Sequence, residues 1–105
     1  MLGHRTSLID DIHTLLALEP ASTPLANVED TLTAGYAQAL ALEGQQLRLE
    51  RKLWRLARDL GDGPDIVTHE AGELSGLLAG VESELVELRT LLVTLRDRAR
   101  ALRAA

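Results

Sequence analysis

The sequence predicts an all-α fold: an antiparallel two-helix coiled-coil hairpin preceded by a short amphipathic helix. Three observations predict it. Two apolar ladders, each stepping by alternating fours and threes, flank one short loop. The first is Val28, Leu32, Gly35, Ala39, Leu42, Gln46, Leu49, Leu53, Leu56, Leu60; the second is Val67, Ala71, Leu74, Leu78, Val81, Leu85, Leu88, Leu92, Leu95, Ala99, Leu102. That step is the heptad spacing of helices lying along each other. Apolar residues make up 46% of the chain and aromatics only 2%, so the core must be built from Leu, Val and Ala, which suits helices. No run of β-branched or aromatic residues alternates with polar ones as a half-buried strand would.

The elements follow in order along one expected helical domain, residues 1–105. A short helix is expected over residues 7–19, with Ser7 and Asp10 as a capping box and Leu8, Ile9, Ile12, Leu15 and Leu16 as its apolar face. Pro20 and the run Ala21-Ser22-Thr23-Pro24 end it. Thr23 as N-cap with Pro24 in the first turn starts a long helix over residues 24–60. Gly61-Asp62-Gly63-Pro64-Asp65 breaks that helix, and Asp65 or Thr68 caps a second long helix over residues 65–103. So short a loop permits only an antiparallel return.

Folding at the loop pairs residues whose numbers sum to 127, which sets Gly35 against Leu92, Ala39 against Leu88 and Leu42 against Leu85. Small residues facing leucines allow a close seam. The one polar ladder residue, Gln46, falls opposite Val81 and is expected to reach past the seam to water. Glu29 comes near Arg96 and Arg103, and Glu43 near Arg89; exposed pairs of this kind tune orientation at a few tenths of a kcal/mol each.

The ladders leave apolar residues over. Tyr36, Leu40, Leu47 and Trp54 on one long helix and Val86 and Val93 on the other share a single flank of the pair. The short helix reaches only about 16 Å, a fraction of that strip. The expectation is therefore a second copy, giving a homodimeric four-helix bundle, with those six residues as the contact. A monomeric three-helix bundle with a partly wet strip is the main alternative, and a helical protein partner is a further possible occupant.

Arg48, Arg51, Lys52, Arg55 and Arg58 form a cationic face beside Trp54 that suits phosphate contact, as in a nucleic-acid-associated regulator. The formal charge of −5 and the single interleaved aromatic favour a solvated face instead, partly paired with Glu70, Glu73 and the Glu82/Glu84/Glu87 group. Gly72, Gly76 and Gly80 repeat at four-residue spacing, marking either a close helix contact or a locally soft stretch. His13 lies three after Asp10 and His69 four before Glu73, but there is no Glu-x-x-His pair and no carboxylate in either ladder, so no metal site is expected.

Without cysteine there is neither disulfide nor thiolate ligand, and no glycine-rich phosphate loop or serine–histidine frame points to catalysis or to a cofactor. No leader-like segment and no apolar run long enough for a membrane span is read, so a cytoplasmic setting is expected. Length and layout resemble the small secreted helical-hairpin proteins that carry a Trp-x-Gly turn. Here Arg55 and Leu56 follow Trp54, inside a helix, and nothing of that family's biology is carried over. The sequence thus points to a non-enzymatic interaction or assembly module.

Overall fold

The computed structural model describes residues 4–59 and 64–105, with side chains over 8–20, 22–59 and 68–105. It is all-helical: α1 spans His4–Ala17, α2 spans Leu25–Arg58 and α3 spans Pro64–Ala104, with a 3-10 turn at Pro20–Ser22. Among the described residues there is no strand. The chain gathers into two compact units, one of Met1–Leu40 with Val86–Ala105 and one of Ala41–Leu85.

The ladders are what the helices bury. Val28, Leu32, Leu42, Leu49, Val81, Leu85, Leu88, Leu92, Leu95 and Ala99 are buried. Every other ladder residue whose side chain is described is buried or half-buried. Leu60 and Val67 lie outside the described side chains, as do Gly61, Asp62 and Gly63 of the expected break.

In the first unit α2 and α3 run antiparallel. Glu29 near the start of α2 pairs with Arg103 near the end of α3 at 2.6 Å. Gly35 abuts Leu92, so closely that a Cβ at position 35 would overlap Leu92 Cδ2. These two residues belong to the register in which numbers sum to 127. In the second unit the direction is the same, with Gln46 Nε2 donating to Glu82 Oε2 at 3.4 Å. Gln46 is half-buried and reaches past the seam to an exposed carboxylate on α3.

α1 adds a third helix to the first unit and fully buries Ile12. Leu8, Ile9, Leu15 and Leu16 are half-buried, while His13 and Thr14 are exposed, as an amphipathic face requires. Among the described residues the second unit has two helical segments, and its ladder residues Leu53, Leu56, Ala71 and Leu74 are half-buried.

Four boundary expectations are corrected. α1 starts at His4, so Ser7 lies within the helix and cannot open it. It ends at Ala17, two residues early, because Pro20 holds Glu19 in extended backbone at φ −58°, ψ 135°. Thr23 does not cap α2: the first helical bond runs from Val28 N–H to Pro24 O at 3.1 Å, and the Thr23 hydroxyl donates back to Glu19 O at 2.9 Å. α3 opens on Pro64, whose fixed φ and missing N–H suit a first turn, so Thr68 falls inside it.

The corner between α1 and α2 is held by a residue of α3. Arg98 Nη1 donates to Leu18 O and to the buried Thr23 hydroxyl, each at 3.3 Å, and Nη2 donates to Leu16 O at 3.3 Å. The last carbonyls of a helix have no partner within it and carry partial negative charge. α1 has no basic residue in its own last turn, and Arg98 supplies the cation from elsewhere in the unit.

Arg98→Met keeps the apolar stem and removes these donors, so a loss of about 1–3 kcal/mol is expected. Amide exchange should accelerate in α1 more than in residues 41–58; unchanged protection of α1 would show the clamp to be dispensable. A glycine pair tests the seam. Gly76 has nothing within 4 Å of a built Cβ, so Gly76→Ala should gain up to about 1 kcal/mol from helix propensity. Gly35→Ala should lose about 1–3 kcal/mol relative to it, as Leu92 is forced from its rotamer. Equal gains in urea unfolding would contradict the close Gly35–Leu92 packing.

Candidate functional site

A residue just after a ladder residue is turned about 100° around its helix, and in an antiparallel pair these positions on both helices fall on one side. In the first unit that side carries Tyr36 and Leu40 from α2 and Val86 and Val93 from α3. Residues just before the ladder, among them Asn27, Thr31 and Arg98, fall on the other side. α1 packs there: Asp11, Thr14 and Leu15 share a groove with Asn27, Asp30 and Thr31, and Arg98 holds the end of the helix. The short helix therefore does not cover the apolar flank.

The consequence is exposure. Tyr36, Leu40, Val86 and Val93 in the first unit, and Leu47 and Trp54 in the second, range from 48% exposed at Val93 to 69% at Leu40 and Trp54. Leu47 and Trp54 are seven residues apart and so share a face of α2. On the same side of the second unit α3 offers Gly72, Ser75 and Ala79, too short to shield an indole, followed by Glu82. Leu77, also exposed, lies on the other side of this unit.

Arg48, Arg51, Lys52, Arg55 and Arg58 are all exposed. All but Arg48 line two grooves of the second unit, with Arg55 shared by both. Lys52 and Arg55 line one with Leu56, Leu74, Glu70 and Glu73, where opposite charges flank the apolar seam. Arg51, Arg55 and Arg58 line the other around Trp54. Among the described residues none of these five cations is held by a hydrogen bond or ion pair.

Gly72, Gly76 and Gly80 are exposed with open space beyond them, and α3 continues through all three as α-helix. His69 Nε2 meets Glu73 Oε1 at 2.9 Å as their four-residue spacing implies, both side chains being exposed. Among the described residues no group of three or more His, Asp or Glu side chains is placed to hold a metal ion. No helix among them is long and apolar enough to cross a membrane.

Comparison with known proteins finds no matching family model, no similar curated protein and no similar solved structure.

Two kinds of contact are open to this surface. The exposed Tyr, Trp, Leu and Val side chains lose water favourably against another apolar face, and aromatic anchors rimmed by arginine contribute strongly to binding. The groove around Trp54 offers three guanidinium groups and an indole face, a combination that suits planar or anionic groups.

Proposed function

We propose that this chain is a non-enzymatic protein–protein interaction or assembly module, an adaptor, scaffold or chaperone-like helical bundle. In this reading its long helices form an antiparallel coiled-coil hairpin that self-associates into a homodimeric four-helix bundle. One observation supports the reading: Tyr36, Leu40, Leu47, Trp54, Val86 and Val93 are all solvent-exposed, and within the first unit α1 is seated on the flank away from Tyr36, Leu40, Val86 and Val93. Apolar residues recurring at seven-residue spacing beside a buried seam need a second helical surface to cover them.

A second reading, contact with nucleic acid, is favoured by one feature. Arg51, Trp54, Arg55 and Arg58 line a common groove and their cations are unpaired among the described residues. Guanidinium groups neutralise phosphates and an indole stacks on bases.

Replacing Leu47 and Trp54 with Asp tests the first reading. The wild type should show twice the chain mass by light scattering and the variant one chain mass. A monomeric wild type, or a variant of unchanged mass, removes the strip as a self-association surface. For the second reading, retention on single-stranded oligonucleotide should fall at least tenfold between about 50 and 200 mM salt, the range over which phosphate contacts weaken steeply. Retention insensitive to salt, or none in the wild type, excludes a phosphate-driven mode.

A further inference from the structure

Each unit has a groove formed by the positions just before its ladder residues. In the first unit α1 is seated there, and that unit's ladder residues Val28, Leu95 and Ala99 are fully buried. In the second unit these positions carry Lys52 and Arg55 on α2 and Glu70, Glu73 and Leu77 on α3. The four charged residues line a groove of about 410 Å³ over Leu56 and Leu74. No described helix fills it: Leu56 and Leu74 are half-buried, and Leu77 is 59% exposed.

The two walls of this groove are opposite in sign, cationic on α2 and anionic on α3. They do not neutralise each other across the seam. Among the described residues Lys52, Arg55 and Glu70 have no hydrogen bond or ion pair. Glu73 turns instead to His69 on its own helix, at 2.9 Å. A leucine floor between a basic and an acidic wall matches a helix with an apolar stripe, acids along one edge and bases along the other. A helix with both edges of one sign would meet one wall of its own charge. Turning a helix end for end exchanges its edges, so the walls also fix which way the guest runs.

We infer that this groove docks a single amphipathic helix of a partner protein, its acidic edge over Lys52 and Arg55 and its basic edge over Glu70 and Glu73. The guest takes the place in the second unit that α1 takes in the first. This contact goes beyond self-association and does not depend on it, because Leu47 and Trp54 follow ladder residues and lie on the other side of the seam.

Three probe peptides test the proposal on the full-length chain, each about 20 residues, long enough to hold a helix in water. All share one leucine stripe; the first has Glu along one edge and Lys along the other, the second Glu on both, the third Lys on both. By calorimetry the mixed peptide should bind about tenfold tighter than either uniform one, since like charges on one wall are costly. The chain's net charge of −5 by itself favours the all-Lys peptide, so this order reports the groove. Lys52→Glu with Arg55→Glu makes both walls acidic and should move the preference to the all-Lys peptide. Glu70→Lys with Glu73→Lys should move it to the all-Glu peptide. Lys52→Gln with Arg55→Gln, expected to weaken the mixed peptide about threefold, replaces a reversed variant that loses its helical circular dichroism. Leu47→Asp should leave the mixed peptide's affinity unchanged. A mixed peptide that does not bind or is not preferred overturns the proposal, as does an order of peptides that the wall variants do not alter. Loss of binding in Leu47→Asp also overturns it, placing the peptide on the other flank. So does a wild-type dimer that Lys52→Glu with Arg55→Glu dissociates, which makes a second copy the occupant.

Discussion

An apolar row that steps by threes and fours occupies one narrow side of a helix and can be buried only against another row of the same step. This constraint organises the protein. It sets the direction of α2 and α3 within each unit, places Gly35 under Leu92, and turns Gln46 aside to Glu82. It also limits what two helices can hide. A two-helix seam covers one residue in every three or four, and this chain carries more apolar residues than that. The surplus has to lie on a flank, and the flank is where its chemistry with other molecules is to be sought.

Which flank stays open is settled by polar bonds. Ile12 makes α1 adhere to the first unit, yet apolar burial has no direction and would serve on either side of the seam. Arg98 points to the side that precedes the ladder on α3, and there the carbonyls of Leu16 and Leu18 end α1 and the Thr23 hydroxyl lies buried. Once α1 is fixed on that side by hydrogen bonds that demand geometry, Tyr36, Leu40, Val86 and Val93 are left in water on the other. A cation bound for the protein's interior architecture thus controls an external surface.

Much of this was legible in the residues, for a physical reason. Helical periodicity is local, so the ladders, the direction of the return and the pairing of Gly35 with Leu92 follow from counting along the chain. The exposed strip follows as well, since a helix cannot point neighbouring residues the same way. Helix ends were less legible: Ser7 and Thr23 are good capping residues by type, but Ser7 lies inside α1 and Thr23 is bonded to Glu19 and Arg98. Arg98 itself looked like one of four basic residues near the end of α3. The lack of any basic residue in the last turn of α1 was the available sign that a cation must come from elsewhere.

By itself the sequence determined the helical class, the seam and its register, and the set of side chains that the seam leaves over, because each depends on residue spacing along a regular helix. Only the tertiary structure decided that α1 lies on the far flank, that Arg98 leaves the basic cluster to bind it, and that four of the five cations of α2 line two grooves, with Arg55 in both. Those outcomes depend on where carbonyls and carboxylates from distant parts of the chain come to rest, and hydrogen bonds select among arrangements that burial alone leaves equal.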